Sequence, residues 1–286
     1  MLLQRVATSV VGVPVILLLI WAGGAWYSAA LAVFLVIAAL EFYAAVSPAP
    51  ANTTLLENPL AAVSPLRLPR LLNQRPLSLI GVASIALLVA GAHHGADWWT
   101  GALALGALLP FLWVILRAEP EHALLDWLRT VGAVLYIGWL GSHLVPLRQL
   151  GSGGDWVFLA VFATFANDTS AYFVGRAFGR TKLAPHISPG KTVEGALGGL
   201  LFGALAVVVL NYALGLRIDI RPLIPLCVLL PVAAQLGDLA ESLVKRGAHV
   251  KDAGVLVPGH GGILDRLDSL LFVVPVVYYY VRFVVL

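Results

Sequence analysis

Charged residues are scarce in this chain, where they occupy 12 % of 286 positions, about half the share that a typical soluble protein has. Apolar residues make up 60 % of the chain, and its mean hydropathy is +0.91. So few charges cannot cover a surface that faces water, which excludes an ordinary soluble domain. The long apolar runs also lack the alternation of a transmembrane barrel, so we expect an all-α, polytopic transmembrane helical protein.

Cysteine is nearly absent, since Cys227 is the only one. This excludes an intrachain disulfide and a metal cluster held by cysteine. Neither Gly-x-Ser-x-Gly nor His-Glu-x-x-His occurs, so acyl transfer and zinc hydrolysis have no support. The net charge of +3 could suit a nucleic acid. The cations, however, lie in loops between apolar segments, as membrane topology requires, and we expect no nucleic-acid partner.

Nine apolar segments are long enough to cross a bilayer. They cover about 6–22, 26–46, 77–92, 98–116, 130–147, 155–175, 192–213, 221–244 and 263–284. With a cytoplasmic N-terminus, 14 of the 18 lysines and arginines fall on the cytoplasmic side, which favours nine spans and an outside C-terminus. The first segment could be a signal peptide, but further spans follow directly, so we expect it to remain as a helix.

The two halves of the chain differ in their chemistry. Before residue 150 the charges are scattered and lie mostly in loops, so we expect residues 1–150 to form a transmembrane scaffold. After it, polar motifs interrupt the apolar segments repeatedly. We therefore expect residues 151–286 to form the catalytic region of one integral membrane domain.

Asn167 and Asp168 lie inside an apolar segment. An ionised aspartate there is costly unless it is paired or bound to a metal, so Asp168 is a functional candidate. A structural ion pair with a cation of a neighbouring helix is the alternative.

A Ser188-Pro-Gly-Lys191-Thr192 run follows. Ser188 and Pro189 predict an N-cap and a first helical residue, and such a helix start would aim free amides and Lys191 at an anion. The run is not the end of a Walker A loop, because Pro185 stands where the first glycine of that loop belongs. It therefore indicates phosphate binding without a P-loop.

A second group of polar residues ends the eighth segment. Counted from Asp238, the next polar residues lie three, four and seven positions further along, at Glu241, Ser242 and Lys245. With these spacings all four share one helical face. We expect Asp238 to be a ligand. For Glu241 we favour an ordinary salt bridge with Lys245.

A third group precedes the last segment. Asp265 and Asp268 are three apart behind a Gly-rich bend, and Arg266 lies between them. Stabilisation of a helix N-terminus would explain the acids alone, but two carboxylates beside a cation suggest an Mg²⁺ site. For His260, a hydrogen bond or packing within the loop is as good an explanation as direct contact with a ligand. Together the three groups provide carboxylates and cations suited to a magnesium nucleotide or a pyrophosphate group.

These residues resemble the phosphatidate cytidylyltransferases, also called CDP-diacylglycerol synthases. The family motif reads Ser-x-x-Lys-Arg, four residues, Lys-Asp, then Pro-Gly-His-Gly-Gly, two residues and Asp-Arg-x-Asp. Here it runs from Ser242-Leu-Val-Lys245-Arg246 through Lys251-Asp252 and Pro258–Gly262 to Asp265-Arg266-Leu-Asp268 without departure. Upstream elements also match, from Asn-Asp-Thr-x-Ala-Tyr to Ser-Pro-x-Lys-Thr-x-Glu-Gly, so the resemblance covers residues 167–268 in order.

The resemblance implies that CTP and phosphatidate give CDP-diacylglycerol and pyrophosphate with Mg²⁺, in phospholipid biosynthesis. It implies metal ligation by Asp238 and Asp265, assisted by Asp168 or Asp268. The other implied catalytic residues are Lys191, Lys245, Arg246 and Lys251. The implied substrate-binding residues are Ser188, Thr192, Ser242, Asp252, His260, Gly261, Gly262 and Arg266.

The expected location is the inner cell membrane, with the active site facing the cytoplasm. Whether a second cation, monovalent or divalent, also binds is left open, and the expectation of a homodimer rests on the resemblance alone.

Two alternatives remain from the residues themselves. One is a CTP-dependent enzyme acting on another lipid, either an ether-lipid cytidylyltransferase or a polyprenol or phytol kinase. The other is a transporter of a phosphorylated metabolite, with acids as coupling-ion sites.

Overall fold

A computed structural model of the chain describes residues 12, 14–46, 76–117, 120–250, 254 and 262–286. Lys251, Asp252, His260 and Gly261 lie outside this part of the chain, so their predicted roles stay predictions. The described elements are α1 (Gly24–Val46), α2 (Pro76–His94), α3 (Ala96–Arg117), α4 (Pro120–Ala133), a π-helix (Val134–Trp139), α5 (Leu140–Ser142), α6 (Leu144–Gln149), α7 (Gly153–Phe178), β1 (Lys182–Ala184), β2 (Ser188–Thr192), α8 (Val193–Ala213), α9 (Ile220–Gly247), α10 (Leu264–Tyr280) and a second π-helix (Val281–Val285).

The expectation of an all-α polytopic membrane protein is confirmed. Within the described residues, eight helical stretches are long and apolar enough to cross a bilayer. They are Gly24–Val46, Leu77–His94, Ala96–Arg117, Ala123–Gln149, Gly153–Phe178, Val193–Ala213, Ile220–Gly247 and Leu264–Val285. These correspond to the second to ninth predicted segments. Of the first predicted segment, residues 14–22 are described and helical, so a ninth span and the orientation stay predictions.

The chain divides into two compact units. One contains Ser28–Trp139 and Gly247–Asp265, and the other contains Leu19–Tyr27, Leu140–Arg246 and Arg266–Leu286. These units are defined by which parts of the chain pack together, not by function. The functional division into residues 1–150 and 151–286 stays a prediction.

In the second unit, glycines of α8 allow close contact with α7 and α9. A Cβ at Gly198 would lie 2.6 Å from Cβ of Val174, and a Cβ at Gly203 would lie 2.9 Å from Cγ of Pro231. Apolar helices gain little by leaving lipid for each other, so such small-residue contacts supply the packing that holds them together.

A β-hairpin joins α7 to α8, and it corrects the predicted helix start at Ser188. Strands β1 and β2 pair antiparallel, with Lys182 opposite Thr192 and Ala184 opposite Ser188. The helix begins five residues later, at Val193, because Thr192 is its N-cap and accepts a hydrogen bond from the Gly195 amide at 3.1 Å. Pro189 is tolerated in β2 because an edge strand can do without its N–H.

The first unit has a core of aliphatic side chains, with Leu35 and Ala38 of α1 and Ile85 and Leu88 of α2 fully buried. The rings of Trp99 and Trp139 stack, with their centroids 4.4 Å apart. Gly106 lies so close to Val134 that a Cβ would be 2.9 Å from its Cγ1. These apolar and aromatic contacts hold α2, α3 and the first π-helix together.

A buried acid interrupts this apolar core. Glu41 of α1 is 4 % exposed, and its Oε2 accepts a hydrogen bond from the backbone amide of Leu264, the first residue of α10, at 2.9 Å. A side chain at Gly254 or Gly262 would overlap the Glu41 carboxylate. Glu41 therefore caps α10, where a carboxylate satisfies a free N–H and favours the helix dipole.

Replacing Glu41 by alanine should lower the free energy of unfolding in detergent micelles by about 1–3 kcal/mol, because the buried Leu264 amide loses its acceptor. Glu41→Gln keeps an acceptor oxygen and should cost about 1 kcal/mol or less. Glu121→Ala, at an exposed acid in the first turn of α4, is the control. A Glu41→Ala protein as stable as the control would contradict the capping role.

Candidate active site

Three carboxylates converge where α9 and α10 meet. Asp238 and Glu241 of α9 and Asp268 of α10 each offer a carboxylate oxygen, and these oxygens all lie within 4.8 Å of one another. Asp238 and Glu241 share a face of α9 because they are three residues apart. We call Asp238, Glu241 and Asp268 the acid cluster.

Gly237 explains why the two helices can approach here. A Cβ on Gly237 would lie 2.5 Å from the backbone oxygen of Asp268 and 2.9 Å from Cα of Ser269. Any other residue at 237 would hold α10 away from α9. The glycine directly before Asp238 is thus what brings Asp268 to the acids of α9.

Two lysines neutralise part of the acid cluster. Lys191 Nζ lies 2.8 Å from Asp238 Oδ1, and Lys245 Nζ lies 2.5 Å from Glu241 Oε2. The salt bridge between Glu241 and Lys245 is therefore confirmed. Glu241 also belongs to the acid cluster, and at 1 % exposed it is far more deeply buried than a surface salt bridge would require.

Asp168 of α7 is tied to the same place. Its Oδ1 accepts a hydrogen bond from Asn167 Nδ2 at 2.9 Å, and its carboxylate also accepts one from the Ser269 side chain. The Ser269 amide in turn donates to Asp268 Oδ1 at 2.6 Å. Ser269 therefore links Asp168 to the acid cluster.

A cavity of about 510 Å³ opens beside these groups. Five predicted site residues line it, namely Asp168, Ser188, Lys191, Thr192 and Asp238. Its wall also contains Asn167, Tyr172, Arg176 and Gln235. A cavity this large can hold a nucleotide-sized ligand.

Three of the predicted site residues in the second unit have other surroundings. Arg246 is exposed, and its Nε donates to the backbone oxygen of Ile187 at 3.2 Å, which holds the turn of the hairpin. Arg266 is exposed and Ser242 is half-buried, and neither is among the residues that line the cavity. Their predicted substrate contacts stay predictions.

Asp265 and Gly262 belong to the first unit. Asp265 Oδ2 accepts a hydrogen bond from the Gly262 amide at 2.9 Å, an arrangement that fixes the entry into α10. The place of Asp265 among the metal ligands stays a prediction.

Three residues were not predicted as part of the site. Glu241 had a visible signal, the spacing of three from Asp238, but the salt bridge with Lys245 was favoured as its role. Glu41 carried the signal that selected Asp168, an acid within an apolar segment. Gln235 stands three residues before Asp238, so its spacing places it on the same face of α9.

The donor set fits a hard divalent cation. Asp168 and the acid cluster supply four carboxylates, whereas Lys191 and Lys245 supply two cations within ion-pair distance in the described part of the site. If all four acids are ionised, two negative charges remain. Carboxylate oxygens are the ligands that Mg²⁺ prefers, so the residues present fit it.

Comparison with known proteins agrees with this chemistry. The model of the cytidylyltransferase family matches residues 3–284. The chain is 43 % identical over 148 residues to the phosphatidate cytidylyltransferase of Bacillus subtilis (strain 168), an alignment that covers 51 % of this chain and 55 % of that relative. It is 33 % identical over 218 residues to the enzyme of the same name from Staphylococcus haemolyticus (strain JCSC1435), which covers 73 % of this chain and 83 % of the relative.

Replacing Gly237 by alanine should force α9 and α10 apart and lower the free energy of unfolding by about 1–3 kcal/mol, the usual cost of overpacking. Gly247→Ala, at the last residue of the same helix, is the matched control. Among the described residues, nothing lies within 4 Å of a Cβ at Gly247. We expect that variant to unfold like the wild type, within about 1 kcal/mol. Equal losses in both variants would show that the contact at Gly237 is not tight.

Proposed function

The chain belongs to the cytidylyltransferase family, and from that premise we propose that it transfers a cytidylyl group from CTP to phosphatidate. The products are CDP-diacylglycerol and pyrophosphate, as in phospholipid biosynthesis. The observation that carries the proposal is the convergence of Lys191 and Lys245 with four carboxylates beside a cavity in a helical membrane protein. The names of the relatives agree with it.

The reaction needs positioning of charge more than a strong base. A phosphate oxygen of phosphatidate attacks the α-phosphorus of CTP, and the bond from that phosphorus to the β-phosphate oxygen breaks. The attacking monoester is already ionised near neutral pH, because its second pKa is about 6. What the protein has to supply is charge that brings two polyanions together and stabilises the departing pyrophosphate.

Asp238, Glu241 and Asp268 would hold Mg²⁺, with Asp168 beside them. When bound, the ion would neutralise phosphate oxygens that lysines alone would leave repelling one another. The carboxylates also position the lysines without the ion, because Asp238 pairs with Lys191 and Glu241 pairs with Lys245. Lys191 is thereby placed where it would bind a phosphate. Asp265 and a second cation are further expectations from the resemblance.

Lys191 reaches the cavity from β2, beside Ser188 and Gly190 of the same strand. The Thr192 hydroxyl oxygen accepts a hydrogen bond from the Gly195 amide, so the hydroxyl proton remains available to donate to a phosphate oxygen. Lys191 and Thr192 therefore present a cation and a neutral donor from adjacent positions. A triphosphate bound here would lie along β2 and the first turn of α8, where the helix dipole also favours an anion.

The lipid substrate fits an integral membrane enzyme. Tyr172 is 58 % exposed and lines the cavity, and Leu183 of β1 lines it as well. The aromatic ring of Tyr172 and the side chain of Leu183 support entry of phosphatidate from the bilayer with its acyl chains between helices. The predicted topology and the supply of CTP support an inner cell membrane location with the site facing the cytoplasm. A homodimer is part of the same proposal, and its support is the resemblance alone.

The deciding experiment uses the purified full chain with phosphatidate in mixed micelles and CTP labelled at the α-phosphate. We expect labelled CDP-lipid and pyrophosphate in equal amounts, and no product when Mg²⁺ is chelated. A kinase would instead release labelled CDP and leave the lipid without cytidine. If neither product forms in the presence of Mg²⁺, the proposed reaction is wrong, and uptake of labelled metabolite by proteoliposomes then tests the transporter alternative.

Replacing Asp238 or Asp268 by asparagine should lower turnover by about 100-fold or more, since each change removes a ligand charge worth several kcal/mol. Asp219→Asn, at an exposed acid just before the other end of α9, makes the same chemical change away from the site and should leave turnover intact. Thermal unfolding in detergent checks that all three proteins are folded. Folded, fully active Asp238→Asn and Asp268→Asn variants would remove the acid cluster from the mechanism.

A further inference from the structure

Gln235 of α9 uses both of its side-chain N–H groups within the protein. Its Nε2 donates to the backbone oxygen of Ala196 at 2.9 Å and to Asn167 Oδ1 at 3.2 Å. The first acceptor is fixed in place by helix α8. The second belongs to a residue of α7 that is fully buried.

These contacts determine how Asn167 is oriented. A side-chain amide has one oxygen that accepts and one NH₂ group that donates. Because Gln235 presents an N–H to Asn167, the oxygen of Asn167 must face Gln235. Its NH₂ group then faces the neighbouring carboxylate, where Asn167 Nδ2 donates to Asp168 Oδ1 at 2.9 Å. The hydrogen bonds thus form a chain from the Ala196 backbone oxygen of α8 through Gln235 and Asn167 to the Asp168 carboxylate.

Helix α8 packs closely against both amides. A Cβ at Gly199 would lie 2.8 Å from Asn167 Oδ1 and 3.0 Å from Gln235 Nε2. A Cβ at Gly203 would lie 3.1 Å from Cβ of Asn167. Glycine at these two positions brings the α8 backbone against the amides, so packing fixes where the two side chains lie, while the hydrogen bonds decide which end of each amide faces which partner.

We propose that Gln235 is a positioning residue: by fixing the orientation of Asn167, it holds the Asp168 carboxylate towards Ser269 and the acid cluster. The inference rests on the proposed function, in which Asp168 stands beside the metal ligands. Gln235 lines the cavity, but its N–H groups are already in use. It therefore acts through Asn167 and Asp168, and not by donating to a substrate.

The sharpest test is Gln235→Glu, which keeps the size of the side chain and removes both donors. Asn167 then turns its NH₂ group towards the new carboxylate and its oxygen towards Asp168, which it repels. We expect kcat to fall about 10–100-fold, the range seen when partners of metal ligands are lost, while the KM for CTP changes less than about threefold. The same change at an exposed position of the second unit, Gln149→Glu, should leave both constants unchanged.

A second variant separates orientation from folding. Gln235→Met removes the donors without adding a charge, so Asn167 is left free to adopt either orientation. Its kcat should fall between those of the wild type and Gln235→Glu.

Asn167→Ala removes the residue through which Gln235 acts. Adding Gln235→Glu to Asn167→Ala should therefore lower kcat by less than about twofold, a strong departure from additivity.

A readout independent of turnover is the affinity for Mn²⁺, measured by electron paramagnetic resonance on the detergent-solubilised protein without substrates. We expect Gln235→Glu to bind Mn²⁺ about tenfold or more weakly, and Gln149→Glu to bind it like the wild type. Wild-type kcat and Mn²⁺ affinity in a folded Gln235→Glu protein would overturn the inference. So would a large rise in the KM for CTP alone, which indicates direct substrate contact. Absence of CDP-lipid from the wild type would instead refute the proposed function, and the Mn²⁺ comparison would still decide the role of Gln235.

Discussion

Four carboxylates within apolar helices are the constraint on which the site depends. Each would be costly in such a setting without a partner, and the partners come from the hairpin, from α10 and from the acids' own helices. Lys191 meets Asp238 and Lys245 meets Glu241, while Asn167 and Ser269 donate to Asp168. Two of these contacts cross between elements, Lys191 with Asp238 and Ser269 with Asp168, so they also tie the acids of different helices to one place. Stability of the fold and assembly of the site therefore rest on one set of interactions.

Glycine provides the space for those interactions. Gly237 brings α10 against α9, and Gly199 brings α8 against the amides of Asn167 and Gln235. Polar side chains are short, so acids and amides on different helices can only meet where the backbones approach closely. In a membrane, close approach is also what gives helices their packing energy. The glycines beside the polar residues thus serve both cohesion and chemistry.

The sequence indicated the spans and part of the site because both depend on local patterns. Hydropathy located the eight described spans, and a spacing of three placed Asp238 and Glu241 on one face. Contacts between helices left no such pattern, so the acid cluster and the Gln235 contacts became visible only in three dimensions. The hairpin was missed because Ser188-Pro189 suits a helix start as well as an edge strand. Pairing with Lys182–Ala184 and capping by Thr192 decided between the two.

The cap that Glu41 places on α10 has a consequence for biogenesis. The carboxylate and the Leu264 amide that it binds are separated by 223 positions in the chain. During synthesis, α1 enters the membrane long before its partner exists, so the acid must be accommodated by water or by lipid headgroups meanwhile. Insertion of the last helix relieves that exposure. A chain truncated before Leu264 lacks that amide, so the Glu41 carboxylate loses the hydrogen bond that offsets the cost of its burial.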